Sequence, residues 1–462
     1  MAAIITTPFR VVNAENFKED VTSNNVYIGI GKSDAWSTSL SDTVDSVEDV
    51  PGDHIDDINQ AHQQLIGLKK VTASNISHVV RRIDWENGKT FSPYDSSDTD
   101  LFDKDFYCLT SEFKVYKCIV AGSGGSTQQP NHTAAALQEY TDSYVWKYMY
   151  TIIAADSEAY LTNTFMPVKT LAESPVLADT EVNYPQQQSQ IGSRALATAQ
   201  GIQRIVITNG GQNYEATDNF TITVTGDGTT QATIADGDVV VNGSGAISAI
   251  NVDLTGTDAG KGFTVADIII ASDGSGQNAT ARAIIEPPGG HGTDPVHELG
   301  GFFIGINAQL EGNEVTINND FRQVTIIKNP LLRSGAAATG DTINPLRYLQ
   351  TTNAITSFLP DQVVTGVTSG AKALIAYKVD NDKEIYFYQN EKTGYTAFQN
   401  SETINNGLGN TAILGSTAVN YGDATAGGPY LIGSGEVLFL ENRQPINRSA
   451  TQIEDIKCII EF

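Results

Sequence analysis

Cysteine, methionine and tryptophan each occur only three times in 462 residues. Cys108, Cys118 and Cys458 are odd in number and sit in apolar, strand-like stretches, which argues against a disulfide framework and for reduced core thiols. Basic residues are scarce as well, with 28 Lys and Arg against 54 Asp and Glu, a formal charge of −26. The field of such a chain repels phosphate backbones and anionic headgroups, so neither nucleic acid nor a membrane surface is an expected partner. No run approaches 18 apolar residues, and residues 1–8 hold no basic start followed by an apolar stretch. A soluble, unexported chain is the expectation.

What the chain has in quantity is glycine, 42 residues, among frequent Thr, Asn and Ser. That composition predicts many strands joined by tight turns, with helix in the minority. The length is about three times the ~150-residue domain prior. The expected fold is mainly β: a layered β-sandwich core with a few peripheral helices and two inserted small β modules. Residues 1–197, 287–348 and 429–462 would form the core, and residues 198–286 and 349–428 the modules.

In the first core segment, Asp42, Asp45, Glu48, Asp49, Asp53, Asp56 and Asp57 fall with no Lys or Arg between Lys32 and Lys69. Ile55, Ile58, His62, Leu65 and Leu68 then recur every three to four residues, predicting a helix near 53–70. Asp53, Asp56 and Asp57 would sit at its positive end and Lys69 and Lys70 at its negative end. The acids lack the spaced oxygens and turn glycine of a calcium loop, so they are expected to form a solvated face or a partner surface. Two strands are expected over 105–120 and another over 144–153. Residues 167–193, with Pro175, Pro185 and a glutamine run, read as an irregular boundary.

Residues 198–286 contain no Pro, His, Trp, Cys or Met, and they repeat. Ile202-Gln203-Arg204-Ile205-Val206-Ile207 and Ile222-Thr223-Val224-Thr225-Gly226-Asp227-Gly228 return about 45 residues later. Their echoes are Ile247-Ser248-Ala249-Ile250-Asn251-Val252 and Ile268-Ile269-Ile270-Ala271-Ser272-Asp273-Gly274. A unit this short must stack on its twin to bury its apolar face. In 349–428, Phe358-Leu359-Pro360-Asp361-Gln362-Val363-Val364 is loosely echoed near Phe398, predicting a pair of small β hairpin units.

Catalytic patterns are thin. Gly29-Ile30-Gly31-Lys32-Ser33 lacks the earlier glycine of a phosphate loop, since Val26 stands there, and Asp34-Ala35-Trp36-Ser37 follows instead of a helix; a strand-to-turn role is expected. His291-Gly292-Thr293-Asp294-Pro295-Val296-His297-Glu298 gathers two imidazoles and two carboxylates, but its Gly and Pro prevent one regular element from presenting all four. A turn re-entering the core, with His297 packing or hydrogen bonding, is the expectation. No Gly-x-Ser-x-Gly elbow occurs, and His54, His62, His78 and His132 stand near no recognisable nucleophile. Asp227 and Asp273, in Asp-Gly turns, are expected to cap backbone amides. No catalytic residue, metal ligand or cofactor-binding residue is assigned. Arg81-Arg82-Ile83-Asp84-Trp85 and Asn442-Arg443-Gln444-Pro445 are expected to make forked hydrogen bonds, either within the fold or across an interface.

Five blocks occur in order: Asn25-Val26-Tyr27-Ile28-Gly29-Ile30-Gly31-Lys32-Ser33-Asp34-Ala35-Trp36-Ser37, the Arg81 to Trp85 block, and Ser143-Tyr144-Val145-Trp146-Lys147-Tyr148. Then come Asp320-Phe321-Arg322-Gln323-Val324 running into Lys328-Asn329-Pro330-Leu331, and Leu440-Glu441-Asn442-Arg443-Gln444-Pro445-Ile446. Together they resemble the baseplate wedge subunit family of T-even-type contractile phage tails, over roughly residues 14–170, 291–335 and 434–462. The resemblance implies a non-enzymatic homodimer without cofactor, two copies per wedge, in the virion tail baseplate after assembly in the host cytoplasm. It would join other wedge proteins, six wedges surrounding a hub and rearranging when the sheath contracts. Trp36, Arg81, Arg82, Trp85, Trp146, Arg322, Asn442 and Arg443 are the signature residues expected in structural or interface roles. The two modules depart from the family pattern and would reach peripheral baseplate or fibre proteins. The alternative is a tail receptor-binding or host-glycan-binding or glycan-degrading protein that acts through the β repeats.

Overall fold

A computed structural model describes residues 4–36, 50–195, 200–253, 258–311, 320–379, 381, 383–420, 430–449 and 452–462. The chain is mainly β, 39% strand against 14% helix. It divides into two units, one of residues 1–14, 77–305 and 460–462, the other of residues 15–76 and 306–459. Asp42, Asp45, Glu48 and Asp49 of the acidic stretch lie outside the described residues.

In the first unit, strands Tyr107–Leu109, Lys114–Val120, Val145–Thr151 and Gln138–Glu139 form an antiparallel sheet in that order. The strand Val145–Thr151 is buried along nearly its whole length, so its sequence runs apolar and aromatic instead of alternating. Trp146 is fully buried, stacked on Tyr144 at 5.7 Å and edge-on to Phe91 at 5.2 Å. Aromatic pairs of this geometry add to the stabilisation from burial alone.

The segment expected to be an irregular boundary holds a strand, Phe165–Val168, and a helix, Tyr184–Ala195. Pro185 lies in the first turn of that helix, where its missing N–H breaks no intrahelical bond. The glutamine run is one buried face of the helix: Gln186, Gln187 and Gln190 are all within 2% of complete burial. Their amides serve the loop before the helix. Gln186 Nε2 donates to the Lys169 carbonyl at 2.6 Å, and Gln190 both donates to Leu171 O at 2.9 Å and accepts from Leu171 N at 3.2 Å. Gln187 accepts from Leu177 N at 2.5 Å. An amide can donate and accept at once, so these side chains satisfy backbone groups that have no sheet partner.

Helix Thr7–Ser23 escapes the sequence reading because its apolar residues form no single stripe. Val11 and Ala14 are buried, whereas Phe9 and Val12 are exposed.

The repeats form one six-stranded sheet in the order Phe220–Gly226, Ala266–Ser272, Gln277–Ile285, Ile202–Gln212, Ile247–Ile250, Val239–Val241. Equivalent strands of the two repeats pair with each other: Ile222 opposes Ile270, and Ile205 opposes Ile250. The turn acids are reciprocal too. Asp227 accepts from the Thr264 and Val265 amides at 2.8 and 3.1 Å, ahead of one strand, while Asp273 accepts from Asn219 N at 2.8 Å, ahead of its partner. Gly211 and Gly260, at φ +65° and +66°, each sit under an aromatic ring, Tyr214 and Phe263 respectively, where a Cβ would come within 2.8 Å of the ring. The duplication therefore builds a local dyad with its own apolar core.

In the second unit, strands Thr342–Ile343, Leu65–Val71, Val26–Gly31, Phe321–Lys328 and Glu436–Ile446 form an antiparallel sheet in that order. Gly29 is required by packing, because a Cβ there would stand 2.5 Å from Thr325 Oγ1 and 2.8 Å from Leu65. The helix expected near 53–70 covers only Ile55–Gln64, and Leu65–Val71 is a strand. Gly67 costs a helix about 1 kcal/mol relative to alanine, and Leu65, Ile66 and Leu68 are buried beside the Val26–Gly31 strand. Ile55, counted in the apolar stripe, is 75% exposed.

Residues 347–420 contain the two expected hairpins, Val363–Gly366 with Lys372–Val379 and Thr403–Asn405 with Thr411–Asn420. They do not stay separate units. Thr365 pairs with Asn405, and Arg347–Thr351 and Glu384–Tyr388 complete a closed six-stranded barrel. Closure pairs the edges that two short hairpins would leave open. Phe358, Phe387 and Phe398 fill the interior with Leu349 and Ile375.

Candidate functional site

Four signature residues come together in the second unit. Trp36 Nε1 donates to the Arg443 carbonyl at 3.1 Å. Arg322, 5% exposed, donates through Nη1 to Ser33 O at 2.6 Å and lies 3.4 Å from Asp320. Asn442 Oδ1 accepts from Gln323 Nε2 at 2.8 Å across the paired strands. The Arg443 guanidinium makes only a loose, exposed contact with Glu441 at 3.7 Å. Thus Arg443 serves this cluster with its backbone, while Arg322 serves it with its side chain.

Around them lies a compact ion cluster. The Lys32 and Lys392 ammoniums reach the same oxygen of Asp34 at 2.7 and 2.6 Å, with all three side chains close to buried. Burial alone would raise the Asp34 carboxyl, but the two ammoniums outweigh it and hold the group below its usual range. Burial pulls Lys32 down, against the pull of Asp34. Gly29-Ile30-Gly31 is a strand end, and Lys32 turns the chain at φ +56°. The stretch is a strand followed by a turn.

The other four signature residues are in the first unit. Arg82 Nε meets both oxygens of Asp84 at 2.9 and 3.1 Å and its Nη1 donates to Thr162 O at 3.0 Å. Arg81 donates to Lys104 O at 3.2 Å. Trp85 Nε1 donates to Ser126 Oγ at 3.1 Å, and its ring packs on the core that holds Trp146. These contacts fasten loops to the sheet.

A buried polar network in the first unit was not foreseen. Lys117 and Lys147, at 0% and 1% exposure, stand in the middle of the aromatic strands, which was the available sign. Lys117 is ion-paired with Glu298, whose oxygens also accept from Gly292 N at 2.9 Å and Asp294 N at 3.0 Å. Lys147 donates to Ser193 Oγ at 2.6 Å, and burial pushes it down to about 8. Burial pushes Glu286 up to about 7. His291 bonds Gln203 Oε1 at 3.0 Å, and Gln203 Nε2 donates to Ile119 O at 2.9 Å.

The segment weighed as a metal candidate is therefore divided. His291 points to Gln203, Glu298 to Lys117, and His297 Nδ1 to Asp294 at 2.9 Å on a single helical turn, Pro295–Glu298. Among the described residues no three His, Cys, Asp or Glu side chains are gathered as for a metal ion. All three cysteines are free and buried. No described helix is long and apolar enough to cross a membrane.

A family model described as bacteriophage T4 Gp8 matches residues 3–121, which include the first two signature blocks. The baseplate wedge protein gp8 of Enterobacteria phage T4 is 24% identical over 229 residues, spanning 41% of this chain and 68% of the relative. On these two matches, at modest identity, the chain is similar to T4-like baseplate wedge proteins, which supports a structural role in the virion.

Proposed function

We propose that the chain is a non-enzymatic homodimer that joins neighbouring wedge proteins and moves with them when the sheath contracts. The observation that carries this reading is how the signature side chains are spent. Arg81, Arg82, Trp85 and Arg322 bond backbone carbonyls, a carboxylate and a serine that hold the fold, which suits a rigid framework better than a reactive centre. The 202–285 sheet and the 347–420 barrel, each with its own apolar core, are proposed as insertions that meet peripheral baseplate or fibre proteins.

The test is the solution mass of the purified chain by light scattering. The expected result is a stable particle of twice the 49.5 kDa chain mass. A clean monomer would overturn the dimer, and a trimer would shift the reading to a receptor-binding fibre protein.

A further inference from the structure

Lys117 and Glu298 meet where water is excluded. Their side chains are 0% and 4% exposed, and Lys117 Nζ donates to Glu298 Oε2. The centre of the Tyr94 ring stands 5.0 Å from the ammonium, and His291 packs edge-on against that ring at 4.9 Å. An ion pair so enclosed carries the desolvation cost of two charges, and replacing such a pair by neutral groups of similar volume is often stabilising. Burial also pulls Lys117 toward the free amine, against the pull of Glu298.

The carboxyl group is held as a reacting acyl group would be. Its Oε2 accepts from Gly292 N at 2.9 Å and its Oε1 from Asp294 N at 3.0 Å, so each oxygen faces a fixed backbone donor. Donors placed in this way steady the negative charge that gathers on an acyl oxygen when a nucleophile attacks its carbon. An amine and a carboxyl held together by the fold also react within one molecule, without the entropy loss of bringing two together.

We propose that Lys117 and Glu298 condense after folding to an intramolecular isopeptide bond. The proton of the existing hydrogen bond passes from Nζ to Oε2, which leaves a neutral amine beside a neutral acid. Nζ then forms a bond to Cδ, and the Cδ–Oε2 bond breaks. The second proton that Nζ sheds goes to Oε2, which departs as water, while Oε1 stays on the Asp294 amide as the new carbonyl. No atom is oxidised or reduced. The link ties the strand Lys114–Val120 to the turn that follows the repeat sheet, across a separation of 181 residues. The proposal does not depend on the wedge reading.

The experiment is mass spectrometry of the purified full chain, intact under denaturing conditions and then after protease digestion. Most molecules should be one water lighter than the unlinked sequence, and a branched peptide should join residues 117 and 298. Lys117→Arg keeps the charge but cannot form this amide, so it should recover the lost water and, with the loop open, migrate differently in a denaturing gel. A full sequence mass in most molecules overturns the proposal, as does a lost water that maps to other residues or persists in Lys117→Arg. The parent chain decides the question by its own mass and branched peptide, so a Lys117→Arg variant that fails to fold does not blunt the test.

Discussion

The indole N–H of Trp36 donates to the carbonyl of Arg443, 407 positions away, at 3.1 Å. Two signature blocks from opposite ends of the chain are thus joined by one side chain and one backbone group. Trp36→Phe keeps the ring and removes the donor, and should lower unfolding stability by about 1–2 kcal/mol in urea titration. Arg443→Ala should cost less than about 0.5 kcal/mol, since its carbonyl does the bonding and its exposed ion pair is loose. The reverse order would show that the guanidinium matters more than the backbone.

Glu402 organises one turn of the barrel. Its buried carboxylate accepts from Thr368 N, Ser369 N and Gln399 N at 3.0, 2.9 and 2.6 Å, and from Ser369 Oγ. Burial would raise its titration, but these donors outweigh it and hold it below the ordinary range. A carboxylate depressed on folding contributes stability that is full above its unfolded value and is lost as pH falls through its folded one. Glu402→Ala should therefore cost about 2–3 kcal/mol at pH 7, and the difference from the parent chain should shrink in acid melts below about pH 4.

Glu286 has the opposite sign. Its folded value of about 7 lies above its unfolded one, so the folded chain binds more protons between the two and loses stability as pH rises through that window. Glu286→Gln should melt with the parent chain near pH 4. At pH 8 it should melt higher, by about 1–2 kcal/mol. A variant that is destabilised at pH 8 would mean that the Gly201 amide and the charge of Lys117 together outweigh burial.

The repeat sheet is rooted in the first unit at particular points. Gln203 bonds Ile119 and His291, Ile284 belongs to the main aromatic core, and Arg282 forms an ion pair with Asp95. Removing residues 200–285 outright would strip these contacts. Asn209 and Thr280 pair directly, so replacing the residues between 209 and 280 with a two-residue Asn-Gly turn should leave a folded chain of unchanged oligomeric state. Loss of the thermal transition in that variant would show that the outer strands are needed for the unit to fold.

Much of the organisation was legible because it rests on local chemistry. The repeat period and the Asp-Gly turns showed in the sequence, and Asp227 and Asp273 do cap backbone amides. The helix before Leu65 was overextended because Leu65 and Leu68 fit a helical stripe and a buried strand equally well, and only a neighbouring strand distinguishes the two. The glutamine run misled in the other direction. A polar run reads as solvent-facing unless the backbone groups it will satisfy are known, and those of Lys169 and Leu171 are brought to it only by the fold.

By itself, the sequence determined the mainly β class, the duplication, the reduced state of the cysteines and the likeness to wedge proteins, all of which depend on composition, period and residue order. Only the tertiary structure decided that the two small hairpins close into a barrel. It alone placed Trp36, Arg322, Asn442 and Arg443 around one ion cluster, and paired Lys117 with Glu298 inside an aromatic core. Those outcomes turn on which distant groups meet where water is excluded, because a buried charge or amide is tolerated only when its partner arrives from elsewhere in the chain.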